Sequence, residues 1–203
     1  MHSASDITSK QPYRLEICGG IASGKTTLAH ILDSNGLPAV YERYWENPFL
    51  GEFYTTSEQT CAFETEVVFT LQHYYGIRNS VLSCFDYSIV QDLAYADVNL
   101  PADQRRIYHT LYQSLLKRIR YPAYLIYLKC DAGTAQQRLL QRGRKSEANL
   151  SQSYLQRIIS ALENQVFKQP NVLVLDSQKL NFLTQEQMVL NVVKEYFPYH
   201  HWS

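Results

Sequence analysis

The chain has 203 residues, of which 45% are apolar and 19% are charged. These values are typical of one compact domain with a full hydrophobic core and exclude a disordered chain. The 19 Lys and Arg residues are balanced by 19 Asp and Glu residues, so no net positive field favours nucleic acid or an anionic membrane. No apolar run is long enough to span a membrane, and the first residues lack a secretory pattern, which predicts a cytoplasmic protein.

Short apolar runs alternate with longer helical patterns after a polar leader at residues 1–12. The predicted strands are 14–18, 38–41, 81–85, 123–129 and 172–175. The predicted helices are 25–33, 61–79, 103–120, 134–142, 151–167 and 185–196. This alternation predicts a single three-layer α/β domain at 13–203 with a five-stranded parallel sheet. The four cysteines, Cys18, Cys61, Cys84 and Cys130, lack metal-site spacing and are interpreted as buried apolar residues.

Residues 19–26, between the first predicted strand and the first predicted helix, match the pattern G-x-x-x-x-G-K-[ST]. Backbone N–H groups of such a loop close around phosphate oxygens, and the next helix adds its positive end. Lys25 is expected at the β- and γ-phosphates and Thr26 in a magnesium shell. The predicted nucleotide-binding residues are Gly19, Gly20, Ile21, Ala22, Ser23, Gly24, Lys25, Thr26 and Thr27. The motif predicts ATP and Mg²⁺ but does not name the acceptor.

Two further features suggest the acceptor chemistry. Glu42 follows the second predicted strand, at the sheet edge where ligands gather, and is either a general base or a solvated turn residue. Arg138 and Arg142 share one helix face, and Gly143 ends that helix and redirects Arg144. These arginines form either a lid that stabilises the transferring phosphoryl group or an ordinary basic helix end.

From residue 14 to about residue 167 the chain resembles the deoxynucleoside kinase family, particularly its bacterial deoxyguanosine and deoxyadenosine kinase branch. The resemblance is carried by the phosphate loop, Glu42, the run from Glu46 to Leu50 with Phe53-Tyr54, Phe63-Glu64, Asp86-Tyr87, the arginine segment and Glu147. It implies that Glu42 removes the proton from the deoxyribose 5′-hydroxyl, which attacks the γ-phosphate of ATP. It implies that Tyr54 and Glu147 hold the 3′-hydroxyl, and that Asp86 serves the magnesium ion and the 5′ end. It also implies a homodimer formed through helices 61–79 and 103–120.

The expected base site departs from the family pattern. Relatives usually carry a glutamine where this chain has Glu64, and helical spacing places Glu64 on a buried apolar face with Leu71, with Glu66 opposite in solvent. Asp92 is the second expected base-reading acid, and Leu71 replaces an arginine of some relatives. Tyr87, at the 5′ end, stands where many members have arginine. A donor-rich guanine edge fits an ionised Glu64, whereas adenine or cytosine requires a protonated acid.

His73 and His109 are interpreted as packing or surface residues, and His200 and His201 as part of a docked or frayed tail. The sequence therefore predicts a Mg-ATP-dependent kinase that converts a deoxynucleoside to its 5′-monophosphate, with purines preferred and deoxyguanosine first. The alternatives are a nucleoside monophosphate kinase of the thymidylate type and a non-catalytic nucleotide-binding protein.

Overall fold

A computed structural model describes residues 14–55, 60–80, 83–119, 123–144, 147 and 150–197. The predicted leader at 1–12 and the histidines of the C-terminal tail lie outside these residues. Within them, five parallel strands form one sheet in the order β2-β3-β1-β4-β5. The strands are β1 (Arg14–Gly19), β2 (Ala39–Val40), β3 (Cys84–Phe85), β4 (Ala123–Lys129) and β5 (Val172–Asp176).

Helices cover both faces of the sheet and confirm the predicted three-layer α/β architecture. They are α1 (Lys25–Ser34), α2 (Leu50–Thr55), α3 (Ala62–Asn79), α4 (Ile89–Asn99), α5 (Ala102–Leu116), α6 (Ala132–Arg142), α7 (Gln152–Val166) and α8 (Glu186–Tyr196). No helix of the described residues is long and apolar enough to cross a membrane.

The alternating side chains of the central strands build two cores. Leu15 and Ile17 of β1 point to a core that includes residues of α1 and α8. Cys18 of β1 and Tyr127 of β4 point to the opposite core, which α3, α4, α5 and α7 help to build. Cys18, Cys84 and Cys130 are buried, as predicted, whereas Cys61 is partly exposed. Because the strands are parallel, their carboxyl ends meet along one edge, where the loops carry the polar side chains described below.

Helix α4 was not predicted, and it is buried on nearly all sides. Glu16, at the centre of β1, accepts hydrogen bonds from the Ser88 hydroxyl (2.9 Å) and from the Ile89 backbone N–H (3.1 Å). A carboxylate at a helix N-terminus satisfies free N–H groups and interacts favourably with the helix dipole. Arg14 pairs with the same carboxylate at 2.5 Å. The central strand therefore anchors the start of α4.

The buried face of α3 differs from the predicted one, although Tyr74 is buried as expected. Glu64 and Leu71 are exposed, and Leu71 does not line the cavity described below. The buried side chains are instead Ala62, Thr65, Glu66, Thr70, His73, Tyr74 and Ile77. The prediction failed because the buried stripe of this helix is largely polar, while several of its apolar residues face outward.

Candidate active site

A cavity of about 1160 Å³ opens at the carboxyl edge of the sheet. One end is lined by the phosphate loop, defined as residues 19–26, and by the arginines of α6 and the segment that follows it. The other end, called here the acceptor lobe, is lined by Tyr54, Glu66, Phe69, His73, Asp92 and Tyr95. Glu42 lines the same cavity. The space is therefore continuous between the phosphate loop and a lobe rich in acids and aromatic rings.

The phosphate loop connects β1 to α1 and folds back on itself. Residues Ile21 to Thr27 line the cavity, while Gly19 and Gly20 are buried at the base of the loop. Gly24 has a φ of 102°, a conformation that favours glycine, and directly precedes α1. The Lys25 ammonium donates hydrogen bonds to the carbonyl oxygens of Gly19 (3.0 Å) and Gly20 (3.2 Å). This places a positive charge over the loop, as phosphate binding requires.

The three predicted arginines all line the cavity. Arg138 braces the phosphate loop, because its guanidinium donates to the carbonyl oxygens of Ala22 (3.4 Å) and Ser177 (2.5 Å). Arg142 and Arg144 both pair with the buried carboxylate of Glu147.

The guanidinium of Arg144 also lies over the ring of Tyr44, 4.2 Å from its centroid. Tyr44 belongs to the short 3-10 turn Tyr44–Glu46. A cation over an aromatic face is an attractive contact. Arg144 therefore joins the segment after α6 to the turn after β2.

Asp86 connects the ends of β2 and β3 to the phosphate loop. Its Oδ1 accepts the backbone N–H of Glu42 at 2.5 Å, and its Oδ2 accepts the Thr26 hydroxyl at 2.9 Å. Burial raises the pKa of the Asp86 carboxyl, although both hydrogen bonds oppose that shift. A hydroxyl and a carboxylate side by side at a phosphate loop are oxygen ligands that suit Mg²⁺ held mainly by nucleotide phosphates. The two residues predicted to serve the metal are thus in contact.

His73, which sequence analysis assigned to packing or the surface, lies at the centre of the acceptor lobe. It is 2% exposed, its Nδ1 lies 2.7 Å from Asp92 Oδ1, and its Nε2 lies 3.1 Å from Glu42 Oε1. Burial alone would lower the pKa of His73, but the two carboxylates raise it to about 10. Contact with two carboxylates from different elements thus favours the charged imidazolium form of His73.

Glu66 takes the place in the lobe that was predicted for Glu64. It is 4% exposed, and its Oε1 accepts a 2.7 Å hydrogen bond from the Asn99 amide. Burial raises the pKa of Glu66 to about 8, although the Asn99 hydrogen bond opposes this shift. Glu64 is on the exposed side of α3 and does not line the cavity. The burial predicted for Glu64 and the exposure predicted for Glu66 are both wrong.

Tyr87 also lies away from the position predicted for it. Its ring stacks on the imidazole of His73, with centroids 4.0 Å apart and planes 12° apart, and it does not line the cavity. Tyr87 therefore supports His73 from behind and lies outside the cavity wall. The predicted Tyr54, Asp86, Asp92 and Glu147 do line the cavity.

The sequence model of the family described as deoxynucleoside kinase matches residues 15–198. The chain belongs to the deoxynucleoside kinase family. It is similar to deoxyguanosine kinase of Bacillus subtilis strain 168, with 30% identity over 158 residues, covering 73% of this chain and 76% of that protein. It is also similar to the deoxyadenosine/deoxycytidine kinase of the same organism, with 25% identity, covering 89% of this chain and 90% of that protein.

A solved structure of deoxyadenosine kinase from M. mycoides with bound dCTP shares the fold. It superposes with a TM-score of 0.77 at 21% sequence identity and covers 90% of this chain and 99% of that chain. The expected fold and enzyme class are therefore confirmed: this deoxynucleoside kinase is a phosphotransferase, and the alternative of a non-catalytic nucleotide-binding protein is wrong.

In this deoxynucleoside kinase, helical spacing could have identified His73 as a cavity residue, whereas it gives no signal for Gln91 or Tyr95. His73 follows Glu66 by seven residues, which is two helical turns, so the two side chains share a face. Gln91 and Tyr95 lie on α4, whose apolar residues show no one-sided periodicity because both sides of the helix are buried. The buried face of α3 carries a polar stripe, which apolar periodicity does not reveal.

Proposed function

We propose that this kinase transfers the γ-phosphoryl group of ATP to the 5′-hydroxyl of a deoxynucleoside, with purines preferred and deoxyguanosine first. The observation that carries the proposal is the position of Glu42. Its carboxylate lines the cavity, and its backbone is tied to Asp86 beside Thr26 of the phosphate loop. A hydroxyl entering from the acceptor lobe meets a base on one side and the phosphate cradle on the other.

The chemistry then needs few steps from the protein. Glu42 accepts the proton of the 5′-hydroxyl as that oxygen forms a bond to the γ-phosphorus and the bond to the β,γ-bridging oxygen breaks. Lys25 and the cavity-lining arginines neutralise charge on the transferring group. Mg²⁺, held by Thr26 and Asp86 with the nucleotide phosphates, would supply further positive charge there. Tyr54 and Glu147, both on the cavity wall, suit the 3′-hydroxyl of the sugar.

Glu66 and Asp92 support a purine base in the acceptor lobe. An ionised carboxylate can accept two hydrogen bonds from the N1–H and the 2-amino group of guanine, and such donors stabilise its charged form. Glu42, at the edge of the acceptor lobe, also disfavours an acceptor that already carries a phosphate there, because like charges repel at short range. A monophosphate kinase therefore fits this cavity poorly.

The test is turnover of the wild type and of Glu42→Gln with Mg-ATP and competing deoxynucleosides. Removing a general base costs about 10²- to 10⁴-fold in kcat, and the variant should fall by that factor. At about pH 8.5, where Glu66 is ionised, deoxyguanosine should compete best and thymidine poorly, and deoxyguanosine monophosphate should not be phosphorylated. Equal turnover of thymidine and deoxyguanosine would contradict the base preference, and an active Glu42→Gln variant would contradict the assigned base.

We also propose that the protein forms a homodimer through α3 and α5, which pack against each other. These helices leave large apolar side chains in solvent: Leu71 is 43% exposed, Tyr75 70% and Ile107 62%. Exposed apolar groups on adjacent helices favour burial against a second copy of the same surface. The predicted helices 61–79 and 103–120 contain this surface.

A further inference from the structure

We propose that His73 is a positioning residue for the phosphoryl transfer: held by Asp92 and Tyr87, it fixes the Glu42 carboxylate in the cavity. This inference rests on the proposed function of Glu42. It assigns to α3 a role in the transfer step itself, beyond recognition of the base.

The contacts of His73 restrict it on three sides. Asp92, from α4, binds Nδ1 at 2.7 Å, and the ring of Tyr87 covers one face of the imidazole. On the third side, Glu42 Oε1 lies 3.1 Å from Nε2, in an ion-pair contact whose N–H does not point directly at the oxygen. An imidazole held in this way has little freedom to rotate, so the carboxylate paired with it is held as well.

The charges around His73 stabilise its contact with Glu42. Glu42, Asp92 and Glu66 face His73 from the end of β2, from α4 and from α3, and Tyr87 lies behind it. Asp92 Oδ2 is buried and has no hydrogen-bond partner within the described chain. His73 is thus the cation that the nearest two acids share. Without a group at the Nε2 position, the Glu42 carboxylate would lose the partner that holds its oxygen in the cavity.

The role can be separated from a structural one with two isosteric variants. In His73→Asn the amide can still donate to Asp92, but nothing replaces Nε2 beside Glu42. In His73→Gln the amide reaches the Nε2 position but leaves Asp92. A misplaced reacting group costs about 10²-fold, so kcat should fall by about 10- to 100-fold in His73→Asn and by less than about 10-fold in His73→Gln. The KM for the deoxynucleoside should change little in His73→Asn.

Two controls complete this comparison. His109 forms a similar pair with Asp97, also at 2.7 Å, but does not line the cavity, so His109→Gln should keep wild-type kinetics. In the double variant Glu42→Gln/His73→Asn, kcat should equal that of Glu42→Gln alone, because a residue that acts through Glu42 has no effect once Glu42 is gone. Equal loss in both His73 variants, an additive double variant, or a loss confined to KM would overturn the proposal.

A measurement without turnover tests the contact in the free protein. The ¹⁵N resonances of the His73 ring should report an imidazolium at neutral pH, and Glu42→Gln should lower its pKa by removing one of the two carboxylates. An unchanged His73 pKa in Glu42→Gln would overturn the proposal even if Glu42 proves to be the base. Conversely, Glu42→Gln that retains full turnover overturns the proposed function, whatever the imidazole shows.

Discussion

Three of the five carboxyl groups that line the cavity, those of Glu42, Glu66 and Asp92, differ in proton affinity because their surroundings differ. Burial favours the neutral form of each. For Glu42, contact with His73 outweighs burial and lowers the pKa. For Asp92, burial outweighs the same histidine and raises the pKa. Glu66, which has only the neutral Asn99 as a hydrogen-bond partner, has its pKa raised to about 8. The residue proposed as the base is thus the one of these three whose pKa is lowered.

The protonation of Glu66 should select the base. Below about pH 8 the free enzyme presents a protonated carboxyl, with one donor and one acceptor, which matches adenine N1 and its 6-amino group. Above this pH the ionised form offers two acceptors to guanine. We expect the ratio of kcat/KM for deoxyguanosine to that for deoxyadenosine to rise between about pH 6.5 and about pH 8.5.

Glu66→Gln, which has a permanent donor and acceptor, should favour deoxyadenosine at every pH and make the ratio flat. Glu64→Gln, two residues away on the exposed side of α3, is the matched control and should behave as the wild type. A flat ratio in the wild type, or a pH-dependent one in Glu66→Gln, would show that another group reads the base.

At the scale of elements, α3 packs very closely against the loop after β3. A Cβ atom at Gly76 would lie 2.2 Å from the Tyr87 hydroxyl oxygen, much closer than real contacts allow. Tyr87 is buried and stacks on His73, so it cannot simply swing away.

Gly76→Ala should therefore lower the melting temperature, because overpacking costs about 1–3 kcal/mol, more than the roughly 1 kcal/mol that alanine gains in a helix. It should also lower kcat, since it displaces the residue behind His73. Adding Tyr87→Phe removes the clashing oxygen and should restore most of the lost stability, as measured by thermal unfolding. A Gly76→Ala variant as stable as the wild type would contradict this packing.

Some elements and side chains could be placed from the sequence, and others could not. The phosphate loop, Lys25 and Glu42 were predictable because their spacing and their place after a strand are local properties. His73 and Glu66 were not, since they lie on a buried helix face that is polar and lines a cavity. Apolar periodicity then assigned α3 to the wrong side and gave no sign of α4. Tyr87 was misplaced because adjacency to Asp86 in sequence does not fix the direction of its side chain.

In the whole molecule, the two sides of α3 differ in polarity: the inward side is polar and the outward side is apolar. Its polar residues face the cavity, and Leu71 and Tyr75 on the other side are exposed. We expect Ile107→Asp and Leu71→Asp to convert a dimer into a monomer in sedimentation experiments, because each places a charge in the interface. Leu140→Asp, on α6 and 69% exposed, is the control and should leave the mass unchanged. A wild-type monomer would contradict the proposed surface.

The strand order places β1 at the centre of the sheet, between β3 and β4. Translation reaches β1 before the other four described strands, so β1 has a strand on both sides only after Lys129 of β4 has been added. Until then one edge of β1 has no neighbouring strand, and the Glu16 carboxylate, which pairs with Arg14, gains its bonds to Ser88 and Ile89 only once the start of α4 has been made. The nascent protein thus carries a fully buried strand with an unpaired edge through much of translation.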